Sequence, residues 1–143
     1  MATYTKFNQF VEDLVKGYHS FGTHTFKVML TNTAPNASTG KIKSDITEIS
    51  AGNGYTAGGN ALTIAAPTQS AGTVKPIASA DITITASGGT VGPFRYAVVY
   101  NDTQTSPVKP LVSFYDYGSS LTLNATESLL IDFDQINGLF SLV

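Results

Sequence analysis

Residues 94–100, FRYAVVY, limit most strongly what this chain can fold into. Phe94, Tyr96, Val98 and Tyr100 fall on one side of a period-two pattern, and Arg95, Ala97 and Val99 on the other. A strand with one polar side can lie on a surface, whereas one with apolar residues on both sides must be covered twice. The segment is therefore expected to be a central strand covered on both sides, or covered on one side by a partner chain. SGGTVGP at 87–93 opens it, and Asn101 and Asp102 close it with turn chemistry.

Similar alternation recurs along the chain. His24, Phe26, Val28 and Leu30 alternate with Thr25, Lys27, Met29 and Thr31, the pattern of a half-buried strand. Ile82 and Ile84 alternate with Thr83 and Thr85 within a strand expected at 80–86. Further strands are expected at 61–65, 73–78, 110–116, 120–123, 128–134 and 138–142. TNTAPNASTGK at 31–41 reads as a loop, and AGNGYTAGGN at 51–60 as a tight, irregular crossing. Residues 42–49 carry Ile42, Ile46 and Ile49 at mixed spacing and fit a helical turn and a strand equally. Short strands at about 8–12-residue spacing, separated by Gly, Asn, Asp and Ser, predict a mainly β chain built as an antiparallel β-sandwich or barrel.

Helical spacing occurs once. Phe7, Phe10, Val11 and Leu14 share one face and predict a helix over about 5–16. Thr3 or Thr5 is its expected cap, Glu12 and Lys16 an i,i+4 pair, and Gly17 its terminator. A helix so short is marginal alone, so its stripe must pack on something. The expected organisation is one domain over 1–143, with this helix followed by a sandwich over about 22–143; 143 residues suit a single core.

Composition narrows the function. Only 13% of residues are charged, about half the usual ~25%. In their place stand 19 Thr, 13 Ser and 13 Gly, while the 42% hydrophobic content argues against disorder. The net charge is −2 and Arg95 is the only arginine, so there is no basic footprint for nucleic acid. With no cysteine, disulfides and thiolate metal sites are excluded. No apolar run approaches the ~20 residues of a membrane span, and MATYTKFNQF does not resemble a secretory signal. The chain is expected to be made in the cytosol and to stay soluble, without a membrane partner.

Reactive constellations are sparse. His19 and His24 are the only histidines; a zinc site would need carboxylates beside them, and no HExxH spacing supplies these. His19 is expected in a turn and His24 at a strand start. Asp132 and Asp134 flank Phe133 and read as the outward residues of an edge strand, with Ile131 and Phe133 inward. YGSSL at 117–121 is no GxSxG elbow and reads as a turn. The glycine-rich stretches match neither GxxxxGK[ST] nor GxGxxG. Asn36, Asn101 and Asn124 begin Asn-x-Ser/Thr triplets at about the frequency that composition alone produces. No catalytic, cofactor-binding or metal site is expected.

Aromatic residues form the more informative group. Phe114, Tyr115 and Tyr117 crowd into VSFYDYG, beside Tyr96 and Tyr100 on a neighbouring strand. Adjacent Phe114 and Tyr115 place rings on both faces, as at a surface covered by another subunit or, through tyrosine, by a sugar. With Phe7 and Phe10 of the helix, these residues are the candidate interface.

The stretches MATYTKFNQFVEDLVKG, TFKVMLTNTAP, ITEISAGNGYTAGG, VGPFRYAVVYND and YDYGSSLTLNATESLLIDFDQINGLFSL resemble those of small tailed-bacteriophage virion proteins, in order and over nearly the whole chain. The resemblance implies a non-enzymatic capsid decoration, or cement, protein with a jelly-roll-like antiparallel β-sandwich and one short N-terminal α-helix. It implies the major capsid protein and further copies of the chain, as dimer or trimer, as partners. The expected location is the capsid surface of the virion, after assembly in the bacterial host cytoplasm. The alternative is a tail or fibre component that binds host surface polysaccharide. A third possibility, a small hydrolase, lacks a nucleophile–base pair in the sequence.

Overall fold

A computed structural model describes residues 2–143. Along the chain run β1 (Thr3–Lys6), helix α1 (Asn8–Val15), β2 (Phe26–Thr31), β3 (Asn60–Leu62), β4 (Gln69–Ser70), β5 (Thr73–Val74), β6 (Ile82–Thr85), β7 (Val91–Asn101), β8 (Leu111–Leu123) and β9 (Ser128–Ile131). The fold is mainly β, every strand pair is antiparallel, and α1 is its one α-helix among the described residues. A five-stranded sheet has the order β1-β8-β7-β2-β3, and β4-β5 and β6-β9 form two-stranded ribbons. No helix among the described residues is long and apolar enough to cross a membrane.

β7 is central, as its two apolar faces require, and the chain itself covers both. One face of the sheet carries Met29, Val98 and Phe114, aligned across β2, β7 and β8. The loop between β2 and β3 closes over this face. Phe7 packs on Phe114 with ring centroids 5.2 Å apart, and a Cβ on Gly40 would come within 2.7 Å of the Phe7 ring. Tyr100 donates its hydroxyl to Gly58 O at 2.6 Å, and Glu48 accepts from the Tyr55 hydroxyl at 2.7 Å and from Gly58 N at 2.6 Å. These bonds satisfy polar groups that burial would otherwise leave costly. Gly59 has φ +77°, and any Cβ there would lie 1.9 Å from Val28 O, so the 51–60 crossing depends on glycine for close approach.

The opposite face carries Leu30, Ala97, Tyr115 and Tyr4, one per strand across β2, β7, β8 and β1. Here the cover comes from later in the chain. β6 and β9 continue the β7–β8 hairpin beyond a corner, where Ala86 N donates to Glu127 O at 2.9 Å and Thr126 N to Ala86 O at 2.8 Å. Residues 82–131 are thus one long ribbon that bends back towards its own sheet, with Phe133 reaching Tyr115 at 6.0 Å between centroids. Ile82, Ile84 and Phe133 join a continuous core with the sheet residues. Burying each such side chain contributes roughly 1.5–3 kcal/mol before entropy is counted.

Several elements differ from expectation for physical reasons. Residues 3–6 are a strand, not the first turn of a helix: alternating Thr and Tyr side chains suit the open edge of β8. The helix starts later, after Phe7, which lies at the N-cap without a side-chain cap and donates its N–H to Val112 O at 3.1 Å. Val11 is 47% exposed, so the buried stripe is carried by Phe7 and Phe10 with partly buried Leu14. The helix stops as expected, with Gly17 N bonded to Leu14 O and Tyr18 N to Asp13 O, the Schellman pairing, at a glycine φ of +78°. Glu12 and Lys16 form their exposed ion pair. β2 is buried on both faces from Val28 onward rather than half-buried. The expected strands at 110–116 and 120–123 are one strand, β8. Residues 138–142 contribute only a bridge from Leu142 to Val74, and residues 42–49 hold a short 3₁₀ turn at Lys43–Asp45.

Candidate functional site

The most shaped surface feature arises where the long ribbon bends. Between the rungs Tyr96↔Asp116 and Phe94↔Leu121, β7 advances two residues while β8 advances five. Tyr117 to Ser120 thus stand opposite Arg95 alone, and the surplus of three residues bulges from the ladder, as extra residues in one strand must. Gly118 has φ +98° there, and its N–H donates to Asp116 Oδ1 at 2.8 Å. The next rung, Val91↔Leu123, spends three residues of β7 against two of β8, a compensating irregularity on the other strand. YGSSL is therefore a bulge inside a strand, not a turn between strands.

The double irregularity leaves a cleft of about 310 Å³ between the sheet and β9. Its floor is Leu30, Ala97 and Tyr115, and its far wall is Leu129, Ile131 and Phe133. Tyr117 and Leu130 line it and remain 55% and 57% exposed, so its mouth is apolar as well as its floor. The volume is at the lower end of the ~300–1,000 Å³ range of ligand pockets. Polar groups are few. Arg95 grips Asp116 bidentately, Nε to Oδ1 at 2.7 Å and Nη2 to Oδ2 at 2.9 Å, with its guanidinium 5.2 Å from the Tyr96 ring centroid. The hydrogen bond from Arg95 holds the Asp116 carboxyl below the usual carboxylate range. Burial pushes the Tyr115 hydroxyl upward, with Tyr4 beside it adding to the shift, so Tyr115 serves the cleft as an apolar ring.

The aromatic interface expected from sequence divides here. Phe7, Phe10, Tyr96, Tyr100 and Phe114 are buried by the chain's own loops and helix, and of these Tyr96 also lines the cleft. Each has a local occupant: Phe7 and Tyr96 pack on Phe114, Phe10 on His19 and Phe140, and the Tyr100 hydroxyl on Gly58. Tyr115 is half-buried between Tyr4 and Phe133. Tyr117 alone of the seven is largely exposed. Sequence reasoning missed Leu121, Leu129, Leu130 and Arg95. The usable signal was SLLI: three consecutive apolar residues in a strand force one of them outward.

The carboxylates flanking Phe133 do different work. Asp134 Oδ1 accepts from Ile136 N at 2.9 Å and Asn137 N at 2.8 Å, which holds its carboxyl low and closes a turn. Asp132 lines the rim of the cleft. No group of three or more His, Asp or Glu side chains among the described residues is placed to hold a metal ion. His19 and His24 lie together away from the cleft, both within reach of Asn101. Comparison with protein-family models, with curated proteins and with solved structures gives no match.

Proposed function

We propose that the chain is a non-enzymatic structural protein of a tailed-phage particle, a decoration protein that binds the major capsid protein and other copies of itself on the shell. The sequence resemblance points to that class. The observation that carries the reading onto this molecule is the apolar cleft, with Leu130 of paired β9 and Tyr117 of the β8 bulge exposed at its mouth. Large exposed apolar side chains gathered on a rigid element mark protein contact surfaces, and tyrosine is favoured there. Few long charged side chains need be immobilised on docking, which limits the entropic cost. Multivalent attachment through several copies would add avidity, and binding would stabilise the bound form of the shell by linkage.

A jelly-roll-like arrangement belongs to the same reading. The pairs β1·β8 and β2·β7, the bonds of Thr63 and Ala65 with Ser79 and Ile77, and β4·β5 are nested one inside another and support it, whereas β7·β8 in one sheet and β6·β9 lie outside that nesting.

The alternative, polysaccharide binding by a tail or fibre component, is favoured by one observation: Tyr117 lines a cleft together with Arg95 and Asp132. Quantitative gel densitometry of purified particles separates the two. A copy number comparable with the major capsid protein supports decoration, a few copies per particle support the tail, and absence from the particle overturns both.

A further inference from the structure

We propose that the Tyr18–His24 segment is an acid-released clasp, held shut where the Nδ1 atoms of His19 and His24 meet one buried amide. Asn101, the last residue of β7, is fully buried. Its Oδ1 accepts from Thr103 N at 3.0 Å and Gln104 N at 3.2 Å, which fixes the orientation of the amide. Its Nδ2 carries two protons and must then be the donor on this side, to Tyr18 O at 3.1 Å and His24 Nδ1 at 2.9 Å, with His19 Nδ1 at 3.3 Å sharing one of the two. Ser20 N also points at His24 Nδ1, at 3.4 Å. Both imidazoles therefore face N–H donors through Nδ1 and serve as acceptors, with their protons on Nε2. A proton on either Nδ1 turns an acceptor into a donor aimed at another donor, and two protonated rings also repel.

The surroundings offer an imidazolium nothing in return. His19 is 6% exposed, and its Nε2 has no partner. Phe10 of α1 lies 5.1 Å from it, and Phe21 and Phe26 lie 6.1 Å away, all between ring centroids. The charged groups on the neighbouring elements are already engaged. Asp13 of α1 accepts from Gln9 Nε2 at 3.1 Å, and Asp102 of the hairpin tip is paired with Lys27 at 3.0 Å and Lys109 at 2.7 Å. Tyr18 reaches Asn101 only through its backbone carbonyl. Burial, and secondarily the nearby His24, lowers the His19 pKa to about 4.

Release would free residues 18–24, while Asp102 N to Thr25 O at 2.9 Å and Thr25 N to Thr103 Oγ1 at 2.8 Å keep β2 attached to the tip. The rings uncovered are Phe10, Phe21 and Phe26, the last two stacked at 4.3 Å. Acid thus converts a closed corner into an exposed aromatic patch.

The test is hydrogen–deuterium exchange of the intact protein at pH 7 and pH 4.5, corrected for intrinsic rates. Protection of residues 18–24 is expected to fall by roughly tenfold or more, while the β7–β8 rungs stay protected. Unchanged protection of 18–24 overturns the proposal, as does uniform loss across the molecule. His19→Phe keeps the ring packing and removes the titrating group; its protection at the two pH values is expected to converge, and acid loosening equal to the parent's overturns the role of His19. NMR of the parent's imidazole nitrogens needs no variant. The proposal requires the Nε2–H tautomer at pH 7 and a titration of His19 that coincides with opening of the segment; a His19 that takes up its proton while 18–24 stays protected overturns it.

Discussion

The two ends of the long β7–β8 ribbon solve opposite problems. At the tip, β7 ends in Asn101, whose amide meets five partners, and Asp102 pairs with two lysines. At the far end, two register irregularities interrupt the ladder, and Tyr117 and Leu130 face outward beside an apolar cleft. One end uses its polar groups within the chain, with Val108 of its loop half-exposed. The other leaves apolar surface without an intramolecular occupant. Stability should therefore reside at the tip and association at the bend, and substitutions at the two ends should separate those properties.

The largest effect is expected at Asn101. Asn101→Ala removes donors and acceptors that no water can easily replace in a fully buried site, and it strands Tyr18 O and the N–H groups of Thr103 and Gln104. A loss of about 3–4 kcal/mol in urea unfolding is expected. A loss under about 1 kcal/mol would show that the network is replaceable and would erase the contrast between the ends.

Acid should act on the same end. Unfolded His19 takes its proton near pH 6.5 and folded His19 near 4. Between those values the unfolded chain binds more protons, so stability is complete above 6.5 and falls progressively as pH drops towards 4. The total is about 3 kcal/mol for this one group. Urea midpoints measured from pH 7.5 to 4 would reveal it, and His19→Phe should flatten the slope contributed by this residue. An unchanged slope in the variant would move the titration to other groups.

How far these two ends could be read from sequence follows from the range of the interactions that make them. β7 was legible because its alternation is local and neither face is polar. The helix stop at Gly17 and the turn at Asn101–Asp102 were equally local. β1 was not, because four residues of Thr-Tyr-Thr-Lys adjoin a stronger helical stripe and become a strand only beside the edge of β8. The bulge at 117–120 depends on which residue of β7 each residue of β8 faces, and period-two patterning does not encode that register. The histidine clasp joins positions 82 and 77 residues apart in sequence. For the same reason the sequence places His19 in a turn and His24 at a strand start without joining either to Asn101. Phe7, Phe10, Tyr100 and Phe114 are buried because loops without regular structure and the helix supply the cover, and such loops carry no periodic signal.

At the bend, expected effects on stability are smaller. Arg95→Met breaks the bidentate pair with Asp116, but the two side chains are 38% and 27% exposed, so solvent already screens them. Little change in the urea midpoint is expected in the same assay. If the midpoint falls as far as it does for Asn101→Ala, the pair is a structural clamp on the bulge and the bend is less independent than the contrast requires.

The smallest stability effect and the largest functional one should come from Tyr117→Ser with Leu130→Ser. Both side chains are more than half exposed, so folding gains little from them, and a change within about 0.5 kcal/mol is expected. Binding is different, because a partner that covers the cleft would remove both from water. Truncating central aromatic and aliphatic contacts commonly costs about 2 kcal/mol or more per site, near thirtyfold in affinity. On the proposed decoration role, binding of the double variant to purified capsids, measured by co-sedimentation, should collapse while its unfolding midpoint stays in place. Retained binding would assign the contact surface elsewhere on the molecule. Lost binding together with lost stability would mean that the exposed apolar residues at the bend serve the fold after all, and that the division of labour between the two ends of the ribbon is wrong.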